Sequence, residues 1–162
     1  MKNILIPTDF STGALACIPA MCQQSNDAEI RLVFIHLFKC SDSITDLLML
    51  ARRNREYEHV SDAFYQECEQ IKASCPQVKA IKIDFFYGST LRMFRNYLEA
   101  NSIDAALDLG NCSVRPLNKR SVDPSNLIAR CGLEAIKVQP AKQKSESRIL
   151  NPAYEQILNE AI

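Results

Sequence analysis

Five short apolar runs alternate with stretches of helical periodicity, and this alternation leaves few folds open. The runs are residues 3–6, 29–38, 78–87, 103–109 and 134–138. Each is too short for a buried helix and rich in branched or aromatic side chains, which marks a strand. The order βαβαβαβαβ predicts an α/β three-layer sandwich: a five-stranded, mainly parallel sheet with helices on both faces. Ligands of such sheets bind outside the C-terminal ends of the strands. The segments to watch are therefore 7–11, 35–38, 87–90 and 110–120.

The intervening stretches read as helices. Ala14, Leu15, Ile18 and Met21 recur at helical spacing, with Pro19 inside the pattern, so the first helix is expected to kink or split there. Ser41 or Ser43 is placed to cap a long second region, with Ile44, Leu47, Leu48 and Ala51 on one stripe. Tyr57, Val60, Phe64, Cys68 and Ile71 continue it until Pro76. Gly88-Ser89-Thr90 opens a helix with Leu91, Phe94, Leu98 and Ala100 inward. A last helix spans 123–130, with Leu127 and Ile128 inward, and Ser11 is expected to cap the first. Residues 141–148 form a polar linker. Asn151-Pro152 then starts a short terminal helix whose apolar stripe (Ala153, Ile157, Leu158, Ile162) needs a surface to pack on. The chain thus divides into a domain over 1–140 and a linker with C-terminal helix over 141–162.

Charge and composition narrow the function. Nineteen basic side chains balance nineteen acidic ones in 162 residues, which argues against a general nucleic-acid binder. Pro7 and Asp9 interrupt the first apolar run before a signal-peptide core is complete, and no run approaches the about 18 residues of a membrane span. The expectation is a cytoplasmic protein that binds neither nucleic acid nor membrane. The seven cysteines (Cys17, Cys22, Cys40, Cys68, Cys75, Cys112 and Cys131) are irregularly spaced and contain no C-x-x-C, so neither a disulfide framework nor a zinc site is expected. They read as small buried hydrophobes. Cys112 alone, near Lys119 and Arg120 in sequence, is a candidate for thiol chemistry. His36, near the end of a buried strand, reads as a satisfied core residue. His59 and the run Arg52-Arg53-Asn54-Arg55 read as solvated helix surface.

The stretch Ile4-Leu5-Ile6-Pro7-Thr8-Asp9-Phe10-Ser11 resembles the opening of the universal stress protein family, an apolar strand followed by Pro-Thr/Val-Asp-x-Ser. The strand ending at His36, Tyr87-Gly88 before a helix, the run 103–110 and the last strand at Ala135-Ile136-Lys137-Val138 follow the same family order, so the resemblance covers residues 1–140. It implies an adenine nucleotide alpha hydrolase-like fold, a homodimer paired through the last strand or the C-terminal helix, and a stress-response or regulatory role without catalysis. In members that bind ATP, the acid after the first strand contacts the adenine. A G-x2-G-x9-G-[ST] loop after the fourth strand holds the ribose and phosphates.

Carried onto this chain, the resemblance makes Pro7, Thr8, Asp9, Ser11, His36, Gly110, Ser113, Arg120 and Ser121 the candidate nucleotide crevice. Asp9 stands at the acid, where it either faces a ligand or hydrogen-bonds nearby backbone at the strand–helix junction; Gly110 stands at the first glycine, while Ser113 replaces the second. Counted straight on, the third glycine and the hydroxyl fall on Asp123 and Pro124. With a shorter loop, Arg120-Ser121-Val122 matches Gly-Ser-Val. Either way one glycine remains of three, and the whole chain has only 4. A non-glycine residue at positive φ costs about 1–2 kcal/mol and its side chain crowds the phosphates. The expectation is that ATP is not bound in the usual way and that no cofactor or metal is resident. The alternative is an ATP or AMP binder using a rewired loop, in which Asp9 reads the base and Gly110, Arg120 and Ser121 hold the phosphates, with Arg115, Lys119 and Arg120 able to attract an anion. No Walker A, dinucleotide-binding or nucleophile-elbow motif occurs, nor the S-G-G-x-D-S signature of the pyrophosphatase-type ATP enzymes.

Overall fold

The computed structural model describes residues 1–39, 57–88, 90–108 and 114–138. Its five strands are β1 (Lys2–Pro7), β2 (Ile30–Phe38), β3 (Val78–Tyr87), β4 (Ala105–Asp108) and β5 (Glu134–Lys137). They form one sheet in the order β3-β2-β1-β4-β5, parallel throughout. The succession of strands reverses direction between β1 and β4, so the crevice of such a sheet lies beyond those two strand ends.

The alternation in the strands builds the two faces. Ile4, Ile6, Leu32 and Phe34 point into one core with Leu15, Ile18, Met21 and Phe64. Leu5, Val33, Ile35 and Leu37 point into the other with Phe94, Leu98 and Leu127. β1 and β2 are covered on both sides, which explains their near-continuous apolar sequence.

The first helical pattern does split, but ahead of Pro19. A 3₁₀ turn (Thr12–Leu15) ends before α1 (Ile18–Gln24), and Pro19 sits in the first turn of α1, where its missing N–H is harmless. Ser61 caps α2 (Asp62–Ser74) by accepting from the Phe64 N–H at 3.2 Å, and Thr90 caps α3 (Leu91–Ala100) through the Met93 N–H at 3.2 Å. Within α3 the expectation for Ala100 fails: it is exposed, and Tyr97, one turn earlier, is the half-buried residue. α4 (Ser125–Arg130) buries Leu127 and leaves Ile128 half-buried. It starts two residues later than expected, because Asp123 Oδ1 accepts the Ser125 N–H at 3.0 Å and Oγ–H at 2.8 Å in a turn before the helix. Gly132 follows α4 with φ 83°, the left-handed position that lets a helix stop at once. The readings at Ser41, Ser43 and the stripe 44–51, the run 52–55, and the linker and terminal helix of 141–162 lie outside the described residues, as do Cys40, Gly110, Cys112 and Ser113. Among the described residues no helix is long and apolar enough to cross a membrane.

Two non-glycine residues among those described take a positive φ, Phe10 and Ser102, and Phe10 is the bulky one. Its φ is 60°, where a bulky residue costs about 1–2 kcal/mol, yet its ring is 3% exposed. The ring packs on Phe64 (5.5 Å, edge-on) and Phe85 (5.3 Å). Burial of the aromatic side chain outweighs the local cost. Phe10→Ala is expected to lose about 3–4 kcal/mol in urea unfolding. A loss under about 1 kcal/mol would contradict this packing role.

Candidate functional site

The site begins where Pro7 ends β1. The Thr8 N–H still pairs with the Ile35 carbonyl at 2.9 Å, so β1 and β2 remain in register to the crevice. Two consecutive side-chain turns then reverse the chain. Thr8 Oγ1 accepts the Phe10 N–H at 2.9 Å, and Asp9 Oδ1 accepts the Ser11 N–H at 3.0 Å. Together they hold Phe10 at its positive φ. Ser11 Oγ–H donates to Asp9 Oδ1 at 2.6 Å, so its hydroxyl serves this turn and not the helix cap expected from the sequence.

Asp9 also reaches across the crevice. Its Oδ2 accepts the Arg115 N–H at 3.2 Å, joining the end of β1 to a segment 106 positions later. Burial acts to raise the Asp9 pKa. The hydrogen bonds from Ser11 Oγ–H, Ser11 N–H and Arg115 N–H outweigh it, and the carboxyl is held below its usual value.

His36 is 1% exposed and bonded at both ring nitrogens. Nδ1 lies 2.7 Å from the Thr8 carbonyl, and Nε2 lies 2.8 Å from Ser121 Oγ. A carbonyl only accepts, so Nδ1 carries the proton and the Ser121 hydroxyl donates to Nε2. Ser121 Oγ in turn accepts the N–H of Leu117 at 2.8 Å and of Asn118 at 3.3 Å. Its one proton and both lone pairs are engaged. The reading of His36 as a satisfied core histidine is borne out.

The backbone completes the clip. β1 stops pairing at Pro7↔Ile35, which leaves the end of β2 without that neighbour. Residues 120–122 take the vacant edge: Phe38 and Ser121 form an antiparallel bridge, the Val122 N–H reaches the Leu37 carbonyl at 2.8 Å, and the Lys39 N–H reaches the Arg120 carbonyl at 2.7 Å. The segment after β4 therefore crosses the end of β1 and is fastened on β2. The structure brings Pro7, Thr8, Asp9, Ser11, His36, Arg120 and Ser121 close to one another around the ends of β1 and β2. Lys39 joins them through its Arg120 contact. Lys39, Arg115, Lys119 and Arg120 are all exposed on this rim. Nothing in the sequence flagged Lys39, because only the bridge to Arg120 brings it there. Among the described residues no group of three or more His, Cys, Asp or Glu side chains is placed to hold a metal ion.

A parallel sheet whose strand succession reverses between β1 and β4 defines a doubly wound α/β domain. Solved structures place the fold more narrowly. Universal stress protein UspA from Lactobacillus plantarum superposes with a TM-score of 0.50 at 19% identity, over 85% of this chain and 97% of that one. The hypothetical protein MJ0577 gives 0.52 at 14% identity, over 85% and 94%. The hypothetical protein PH0823 gives 0.50 at 15% identity, over 85% and 94%. The chain has a universal-stress-protein-like fold. No protein-family model and no curated protein matches its sequence.

Two measurements check the site. Ser121→Ala leaves His36 Nε2 and the Leu117 N–H without their partner, with an expected loss of about 1–3 kcal/mol in chemical unfolding; an unchanged midpoint would contradict the clip. Asp9 has a folded pKa below its unfolded value of about 3.9, so its stabilisation is complete above that value and is lost as pH falls through the folded pKa. Asp9→Asn is therefore expected to lower stability at pH 7, with the gap to wild type closing below about pH 4. A gap that does not change between pH 7 and pH 2 would contradict it.

Proposed function

We propose that this chain is a non-enzymatic, universal-stress-protein-like regulatory protein of the cytoplasm whose crevice does not take ATP in the usual manner of the family. The observation that carries the reading is the internal use of its polar groups. Asp9, matched to the base-reading acid, is bonded to Ser11 and Arg115, and Ser121, matched to the phosphate-side hydroxyl, is turned onto His36. A nucleotide has to displace these bonds before it makes its own, and groups left unpaired in that exchange oppose binding. The same geometry argues against a serine nucleophile. His36 is close enough to act as a base, but both Ser121 Oγ lone pairs face backbone N–H groups. Titration calorimetry with Mg-ATP is expected to show no binding below millimolar concentration; a low-micromolar constant would overturn the proposal.

One observation favours the second reading, an ATP or AMP binder with a rewired loop. The Lys39–Arg120 backbone contact brings a further cationic residue to the segment that carries Arg115, Lys119 and Arg120, and cationic side chains attract phosphate without glycines. That reading requires the melting temperature to rise with millimolar AMP or ATP, because a ligand of the native state stabilises it. An unchanged melting temperature rejects it.

The proposal includes a homodimer paired through the last strand. β5 is an edge strand, and the outer N–H and C=O groups of an edge are a template on which another strand can pair. On the opposite edge strand, the Tyr57 hydroxyl already occupies the Ile83 carbonyl at 3.0 Å. Light scattering is expected to give twice the 18.3 kDa chain mass, and a monomer at micromolar concentration would refute the dimer.

A further inference from the structure

The neutral form of His36 fits its partners and the charged form does not. The neutral ring donates Nδ1–H to the Thr8 carbonyl at 2.7 Å and accepts the Ser121 hydroxyl at Nε2, 2.8 Å away. Ser121 Oγ gives both lone pairs to the N–H groups of Leu117 and Asn118, at 2.8 and 3.3 Å. A proton added at Nε2 turns that acceptor into a donor. Three donors then compete for two lone pairs, and the Ser121 proton loses its acceptor. Burial of the added charge brings a further desolvation cost. The charged residues around the junction come from every neighbouring element. Asp9 follows Thr8 at the end of β1, and its carboxylate already accepts from Ser11 and Arg115. Lys39 follows β2, and Arg115, Lys119 and Arg120 lie on the segment that carries Ser121. Asp108 ends β4, and Glu58, His59 and Asp62 are exposed about the start of α2. From β3 the residue paired with His36 is Phe85, and the rings of Phe10 and Phe38 flank the imidazole.

We propose that residues 117–122 are an acid-released strap, which protonation of His36 detaches from β2 so that the crevice at the switch point of the sheet opens. The strap is held on β2 by short-range contacts that all surround Ser121. The Val122 N–H reaches the Leu37 carbonyl at 2.8 Å, the Lys39 N–H reaches the Arg120 carbonyl at 2.7 Å, and Phe38 and Ser121 form one antiparallel bridge. The turn of the strap is organised by the same hydroxyl, through Leu117 and Asn118, and by Asn118 Oδ1, which accepts the Arg120 N–H at 2.8 Å. Disturbing Ser121 therefore loosens the attachment and the turn together. The released imidazole takes a proton that the strapped one refuses, so the released state binds more protons and acid favours it. The effect sets in as pH falls through about 6.5, the ordinary value of a histidine in water, and strengthens about tenfold for each further unit. Hydrogen bonds hold the Asp9 carboxyl below its usual value, so the strap opens in a pH range where the Asp9 turn is still charged. The device uses the same bond as the proposed function, yet it holds whether or not a nucleotide binds.

The test uses the full chain without nucleotide, so its failure is separate from that of the Mg-ATP titration. Amide hydrogen exchange is followed by NMR at about pH 7.5 and about pH 5.5, each rate being referred to the intrinsic rate at that pH. Protection of the Val122 and Lys39 amides is expected to fall about tenfold between the two, while Phe34 and Leu98, in the two cores, keep theirs. His36→Gln, which offers Ser121 an acceptor and cannot gain a charge, is expected to abolish the pH dependence. His59→Gln, at the other of the 2 histidines, is expected to keep it. Equal protection of Val122 and Lys39 at both pH values overturns the proposal. A fall shared equally by Phe34 and Leu98 overturns it too, because that is global unfolding. A His36→Gln chain that retains the dependence does the same. Should that variant fail to fold, His59→Gln decides: loss of the dependence there overturns the proposal, and its retention supports it.

Discussion

The hydrogen bond between His36 and Ser121 is the contact on which the crevice depends. It joins residues 85 positions apart and sits in a chain of bonds: Leu117 N–H to Ser121 Oγ, Ser121 Oγ–H to His36 Nε2, and His36 Nδ1–H to the Thr8 carbonyl. Each group gives and accepts what its chemistry allows, so a buried histidine that would otherwise be costly becomes a fastener. The bonds link the end of β1, the end of β2 and the segment after β4, the three pieces that surround the switch point of the sheet.

Aromatic packing holds the other side of the same junction. His36 lies 4.8 Å from the Phe38 ring and 6.2 Å from the Phe10 ring, and Phe10 reaches Phe64 and Phe85. Phe10 therefore keeps a left-handed backbone that its type resists, and the Thr8 and Asp9 turns enforce it from the chain itself. The junction is fixed by two independent means, polar bonds above the strand ends and rings beneath them.

Much of the fold was legible because it rests on local pattern. Apolar alternation located all five strands, and β3 was placed to the residue because Pro76 and Gly88 bracket it. Helix detail was legible less evenly. Ala100 was assigned to the core on spacing alone, whereas the larger Tyr97, with its hydroxyl on Asp84 Oδ2 at 2.8 Å, takes the half-buried position. The resemblance was enough to name residues that the structure brings near one another at the ends of β1 and β2. What each residue is bonded to there was not, because the partners of Asp9 and Ser121 come from segments 106 and 85 positions away.

The central claim is that Ser121 is held on His36 and is not offered to a ligand. The imidazole ¹⁵N spectrum of His36, recorded with and without millimolar Mg-ATP, tests it most directly. The account predicts a neutral ring protonated at Nδ1, with nitrogen shifts that do not move on adding nucleotide. A ring protonated at Nε2, or shifts that move in step with saturable changes at Asp9 and Ser121, would contradict it.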